Sequence, residues 1–182
     1  LRLPLLVRFP DILRQRAADL RAAFETAIEA SEYAGGYTPV YPVKVNQQSS
    51  VVGTLASVDG LGLEAGSKPE LITALAVAPA GRTIICNGYK DAQYIRLALS
   101  GLKLGLKVII VIEKPGEWAL IEREAKAMNI DPVLGVRLRL SALGEGNWQN
   151  TGGERAKFGL AAGQLVELVE TLSEAGCLDW LK

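Results

Sequence analysis

Apolar positions along the chain follow two rhythms. Over residues 12–33 they return every three or four places, at Leu13, Ala17, Leu20, Ala23, Phe24, Ile28 and Ala30, which predicts a helix. Pro10 and Asp11 form its start signal, with Asp11 near the cap, and Gly35-Gly36 punctuates its end. A different rhythm follows. Short runs rich in Val, Ile and Leu at 40–45, 60–63, 83–86, 107–112 and 133–140 predict buried strands. Helical stretches at 49–57, 68–77, 91–103, 117–128 and 161–174 lie between and after them. Strand–helix alternation of this kind is the pattern of parallel βαβ units, so the fold class is α/β.

A polar residue stands at or near the end of each predicted strand: Lys44, Glu64, Asn87, Glu113 and Arg137. In a (β/α) barrel such positions approach the C-terminal rim, where active sites sit. In an open doubly wound sheet they cluster at the carboxyl ends. Either architecture brings five polar side chains to one mouth. Five strands fall short of the eight strands and ~250 residues of a full barrel. The chain is therefore an open five-stranded sheet or part of a barrel, and periodicity leaves both open. Pro42 sits awkwardly in the first strand, since proline has no N–H for a ladder; it is placed at the start of the hydrogen-bonded part.

Composition narrows the chemistry more than the fold. A chain of 182 residues, 49% hydrophobic, suits one domain with a sizeable core. Twenty basic residues balance twenty acidic ones, which gives no electrostatic reason to expect nucleic acid or a membrane as partner. No apolar run approaches the ~18 residues of a membrane span. The start, Leu1-Arg2, lacks a long apolar core and reads as a domain cut rather than a secretory signal. Cys86 and Cys177 make neither a disulfide framework nor a metal motif, so the cytoplasm is the expected compartment. The absence of histidine decides most. It removes Ser-His-Asp and Cys-His catalysis and imidazole metal sites, and leaves Lys, Glu, Asp, Tyr, Ser or a cofactor to act.

Lys44 lies among apolar neighbours in Tyr41-Pro42-Val43-Lys44-Val45-Asn46. An uncompensated ammonium is costly to desolvate, so it must reach a solvated mouth or a partner. A lysine amine freed of its proton can form a Schiff base; a strand-end lysine can also simply reach solvent. Glu64 and Glu70 suit acid–base work or, equally, helix capping and ion pairing. Arg137 and Arg139 alternate with Val136, Leu138 and Leu140, so both belong to one face of the last strand, either a polar site or a solvent side. The glycines around Glu64 make neither a dinucleotide fingerprint nor a phosphate loop, and Ser67 is a candidate cap for the helix beginning near Lys68 and Pro69. Residues 141–158 form a long polar loop with Gly144, Gly146, Gly152, Gly153, Trp148, Glu154, Arg155 and Lys157, either functional or a surface insertion.

Several segments together carry a resemblance. Tyr41-Pro42-Val43-Lys44-Val45-Asn46-Gln47-Gln48 resembles the cofactor-lysine segment of the biosynthetic arginine decarboxylases, alanine-racemase-like enzymes of fold type III that use pyridoxal phosphate. The likeness continues through Gly62-Leu63-Glu64-Ala65-Gly66-Ser67-Lys68-Pro69-Glu70-Leu71, Ile85-Cys86-Asn87-Gly88-Tyr89-Lys90-Asp91 and Leu134-Gly135-Val136-Arg137-Leu138-Arg139. It ends in Gly152-Gly153-Glu154-Arg155-Ala156-Lys157-Phe158-Gly159-Leu160 and is looser over residues 5–12.

The resemblance implies a partial (β/α)8 barrel: a helical lead-in over 1–38, then about five βα units of the cofactor-binding barrel over 39–182. Lys44 would hold pyridoxal phosphate as a Schiff base, and Glu64 would sit beside it. Arg137 or Arg139 would lie near the cofactor ring, with Glu70, Asn87 and Lys157 supporting the site. The implied reaction converts L-arginine to agmatine and carbon dioxide for polyamine synthesis, in a dimer-based enzyme with which magnesium is also associated. The family's stacking histidine, phosphate anchor and C-terminal β domain are not in these residues, so the chain is expected to be a fragment, inactive alone. A non-catalytic pyridoxal-phosphate protein of the same fold group, a decarboxylase of another basic amino acid and an open-sheet binding module are the alternatives.

Overall fold

The computed structural model describes residues 3–139 and 159–182. Its first element is α1 (Pro10–Ala30), a helix with no buried residue. Asp11 lies inside the first turn and pairs with Arg14 at 2.7 Å, while Phe9 takes the cap position that the sequence gave to Asp11. Proline at the first helical position explains the shift, because its fixed φ and missing N–H suit that place.

Five βα steps follow: β1 (Val40–Pro42), α2 (Ser49–Ala56), β2 (Gly62–Ala65), α3 (Lys68–Val77), β3 (Thr83–Cys86), α4 (Ala92–Lys103), β4 (Lys107–Ile112), α5 (Glu117–Met128), β5 (Val133–Val136) and α6 (Ala162–Glu174). Helix α4 starts where its sequence signals it: the Asp91 carboxylate accepts the Tyr94 N–H at 2.9 Å. Helix α3 is capped differently from expectation. Ser67 holds the cap position without a side-chain bond, and Glu70 reaches back to accept the Gly66 N–H at 2.8 Å.

All neighbouring strands pair in parallel, in the order β1-β2-β3-β4-β5. That order decides between the two architectures. A doubly wound sheet reverses its strand order at a switch point, whereas a barrel wall adds each strand on the same side of the last. The chain is such a wall, a partial (β/α) barrel. Leu181 makes a further parallel bridge to Leu134, and the Lys182 N–H donates to the Leu134 carbonyl at 3.0 Å, beside β5 where a next strand would lie.

The sheet has two unlike faces. Leu63, Ala65, Ile84, Cys86, Val108, Ile110, Ile112 and Leu134 are fully buried and form the core with Leu71, Ile95, Leu99 and Ile121 of the helices. The other parity is set by register: Pro42 pairs with Glu64, Glu64 with Ile85, Ile85 with Ile109 and Ile109 with Val133. It belongs to the inner face of the wall, and these residues are only half-buried.

Two predicted strands are shorter than the sequence suggests. Residues 43–45 form a 3-10 turn rather than the end of β1, and Pro42 is the last residue of the strand, not its start. With no N–H at Pro42 the ladder loses a donor at the point where the chain turns. The fifth strand ends at Val136, because the returning segment takes over the next bonds: Leu160 donates to the Arg137 carbonyl and accepts from the Arg139 N–H, both at 2.8 Å.

Gly88, just beyond β3, is a position only glycine fits. Its φ is +78°, and a Cβ there would overlap the Gly66 carbonyl. Gly81 has nearly the same φ, +77°, with open space around it. Gly81→Ala is therefore expected to show the dihedral penalty alone, about 1 kcal/mol, and Gly88→Ala that penalty plus overlap, about 2–4 kcal/mol. Urea unfolding of both variants measures the difference; equal losses would show that the Gly66–Gly88 approach carries no strain.

Candidate active site at the strand ends

Lys44 lies in the 3-10 turn directly after β1, two residues past Pro42. Buried Val43 anchors the turn from behind, and the Tyr41 hydroxyl closes it by donating to the Asn46 carbonyl at 3.1 Å. Burial pushes the Tyr41 phenol above its ordinary value, against the opposing bond to Asn46, so it stays a donor. The Lys44 side chain is 65% exposed and its Nζ stands 3.9 Å from Glu64 Oε1. A solvated amine beside a carboxylate is open to reaction with a carbonyl ligand from the mouth.

Glu64 lies on β2 with its side chain 18% exposed. The Asn87 amide donates to the same oxygen, Glu64 Oε1, at 3.0 Å and fixes the carboxylate beside Lys44. Asn87 itself is held by its N–H to the Ala65 carbonyl and by its own carbonyl, which accepts from the Tyr94 hydroxyl at 3.1 Å. Tyr94 is fully buried and its single O–H is shared between that carbonyl and the Ala65 carbonyl at 2.8 Å, so one phenol pins the ends of β2 and β3 together. Cys86 behind it is no nucleophile: burial pushes its thiol up to about 12.

The far side of the mouth is a buried ion cluster. Glu113, at the end of β4, is 4% exposed and accepts from Arg137 at 2.9 Å and from the Gly88 N–H at 2.6 Å. The Lys90 side chain is wholly buried and bonds to Glu113 at 3.4 Å, Glu117 at 3.2 Å and the Gly88 carbonyl at 2.9 Å. Glu117 in turn accepts the Glu113 N–H at 2.8 Å. Burial pushes the Glu113 carboxyl up, yet the Arg137 bond, Lys90 and the Gly88 N–H together hold it below the ordinary glutamate range.

The five strand-end residues singled out by spacing thus form one connected arc: Lys44, Glu64 and Asn87 in direct contact, then Gly88 to Glu113, then Arg137. Arg139 lies two residues further on, and its N–H is engaged by Leu160. Glu70, six residues after Glu64 and in α3, serves instead as a cap for the loop after β2. Lys157 and the rest of the 141–158 loop lie outside the described residues. Lys90 and Glu117 went unread in the sequence, although Lys90 follows Asn87 by three residues. Among the described residues no group of three or more His, Cys, Asp or Glu side chains is placed to hold a metal. No helix there is long and apolar enough to cross a membrane.

The donor set fits a pyridoxal group. An accessible primary amine, a fixed carboxylate beside it and a guanidinium just past the end of β5 suit an aldehyde-bearing, anionic ring. A family profile described as pyridoxal-dependent decarboxylase, pyridoxal binding domain, matches residues 17–180. A biosynthetic arginine decarboxylase of Xanthomonas axonopodis pv. citri is 58% identical over 99% of this chain, and the match spans 29% of that protein. The namesake enzyme of Alkalilimnicola ehrlichii is 54% identical over the same shares of the two chains. Among solved structures, the biosynthetic arginine decarboxylase of Campylobacter jejuni superposes with a TM-score of 0.84 at 32% identity, covering 96% of this chain and 28% of that one. The chain therefore spans under a third of the length of the curated relatives it matches.

Proposed function

We propose a function from the premise that this chain belongs to the pyridoxal-dependent decarboxylase family, as its pyridoxal-binding domain: it is the cofactor-lysine part of an enzyme that converts L-arginine to agmatine and carbon dioxide. The observation that carries the reading is the accessible Lys44 amine 3.9 Å from the Glu64 carboxylate, just past the end of β1 in a parallel barrel wall. The choice of arginine is supported by relatives at 54–58% identity that are named for that activity. When bound, pyridoxal phosphate supplies the electron sink for the carbanion that decarboxylation leaves.

The chain's own residues have distinct tasks in this reading. Lys44 holds the cofactor, and Glu64 holds or takes a proton at Lys44 Nζ. Asn87 keeps Glu64 Oε1 in place for that exchange, since its amide donates to the same oxygen. Arg137 offers positive charge just past the end of β5. Glu70 supports the loop that joins β2 to α3. A cytoplasmic, dimer-based enzyme feeding polyamine synthesis completes the proposal. Magnesium enters only through the family resemblance, and no step is assigned to it.

The test is carbon dioxide release by the complete enzyme from L-arginine, L-ornithine, L-lysine and diaminopimelate, each at several concentrations. Arginine is expected to lead in kcat/KM by about a hundredfold or more, with agmatine as product, because a site that hydrogen-bonds a guanidinium rejects analogues that lack it. Faster turnover of any competitor would replace arginine as the substrate. Cofactor uptake with no carbon dioxide from any of the four would favour a non-catalytic pyridoxal-phosphate protein.

A further inference from the structure

Tyr94 is the bulkiest fully buried side chain among the described residues, and it carries a hydroxyl where phenylalanine would fill the same space. Burial pushes its phenol far above the ordinary value, so the group stays a neutral donor. Its O–H is divided between the Ala65 carbonyl at 2.8 Å and the Asn87 carbonyl at 3.1 Å. These two residues stand on either side of one contact at the mouth. Ala65 follows Glu64 on β2, and Asn87 carries the amide that donates to Glu64 Oε1 at 3.0 Å. Among the described residues that amide is the only hydrogen-bond donor to the Glu64 carboxylate. Lys44 Nζ stands 3.9 Å from the same oxygen. The phenol is itself held in place, since Asp91 caps α4 by accepting the Tyr94 N–H at 2.9 Å.

We propose that Tyr94, which hydrogen-bonds to neither Lys44 nor Glu64, is a positioning residue for that pair: it fixes the backbone on both sides of the Glu64–Asn87 bond and so keeps Glu64 Oε1 beside the amine. The inference rests on the reading of Lys44 as the cofactor amine and Glu64 as its proton partner. Without the hydroxyl, the Ala65 carbonyl still accepts the Asn87 N–H at 2.9 Å, so β2 and β3 stay paired. The Asn87 carbonyl has no second donor among the described residues. Removal therefore loosens Asn87 rather than the sheet, and with it the amide that aims Glu64. An ammonium must lose its proton before it bonds a carbonyl carbon, so a displaced Glu64 slows the capture of an aldehyde. A group at the mouth held from the core behind it keeps one geometry instead of a range.

The test is a double-mutant cycle of Tyr94→Phe with Asn87→Ala on the complete enzyme. One readout is the rate at which the cofactor-free protein captures pyridoxal phosphate, followed by near-visible absorption; the other is the urea midpoint. Asn87→Ala removes the amide but keeps the carbonyl that the phenol holds. Tyr94→Phe alone is expected to slow capture about fivefold, the size of one neutral hydrogen bond, and to slow it less than about twofold further once Asn87 is alanine. Its shift of the urea midpoint is expected to be the same in both backgrounds, because both carbonyls are present in each. A hydroxyl that serves the fold alone would leave capture unchanged, or slow it by the same factor in both backgrounds, and either result would overturn the proposal. Failure of Tyr94→Phe to fold would overturn it as well, by making the hydroxyl a requirement of the fold rather than of the site. Lys44→Ala separates the two levels. Cofactor absorption surviving in that variant would fail the site reading itself, whereas absorption that depends on Lys44, with capture insensitive to Tyr94→Phe, would fail only the role of Tyr94.

Discussion

Lys44→Ala in the complete enzyme is expected to abolish the near-visible absorption of bound cofactor and to lower turnover by about three orders of magnitude or more, with the fold intact. The separation of effects follows from the surroundings of the side chain. Lys44 is mostly solvent-exposed, and its ion pair to Glu64, at 3.9 Å, is too long for a hydrogen bond. An exposed pair of that kind contributes about 0–1 kcal/mol, so the cofactor-free variant should unfold within about 1 kcal/mol of the parent. Val43 and Tyr41, which hold the turn, are untouched. Lys44→Arg keeps the charge but has no amine able to bond a carbonyl carbon, and it is expected to behave as Lys44→Ala does. Absorption and turnover in either variant near those of the parent would remove Lys44 from the chemistry.

That residue was also the one most legible in the sequence, and the reason is periodicity. A parallel βα wall repeats its strand ends at regular intervals, so polar residues closing apolar runs mark the mouth before any contact is known. Lys44, Glu64, Asn87, Glu113 and Arg137 were found this way. Two things escaped that rhythm. The apolar pair flanking Lys44 reads as strand, but alternation cannot report that Pro42 withholds a ladder N–H and that the chain tightens into a 3-10 turn. The second is Lys90, which sits in a short polar loop where a lysine is ordinarily solvated. Nothing local shows that Gly88, at φ +78°, bends the loop so that Nζ folds under β4 and between two glutamates. Contacts of that kind depend on where the next two elements land, which is tertiary information. The choice between open sheet and barrel wall was hidden for the same reason, since strand order is set by the direction of each crossover.

The buried cluster gives the second large effect. Lys90→Met is expected to destabilise the complete enzyme by about 3–5 kcal/mol at neutral pH, the usual loss when one partner of a buried ion pair is removed and the other stays charged. Methionine nearly matches the stem of lysine in volume, so the loss is one of charge and hydrogen bonds rather than of packing. Among the described residues, what remains beside Glu113 and Glu117 is Arg137 and a backbone amide and carbonyl of Gly88. The pH dependence then distinguishes this cause from a general loosening. In the parent, Glu113 lies below the ordinary glutamate range when folded. Its stabilisation is complete above an unfolded value of about 4.3 and is lost as pH falls through the lowered folded value, so acid weakens the parent. Without Lys90 one attraction that lowers the Glu113 carboxyl is gone while its burial stays. The carboxyl rises, and a proton taken up by the folded state relieves the excess negative charge. Measured by urea unfolding from pH 7.5 down to about pH 4.5, the deficit of Lys90→Met against the parent should therefore shrink as the solution is acidified. A deficit that stays constant over that span would mean that Lys90 matters to the cluster only as a filler of space.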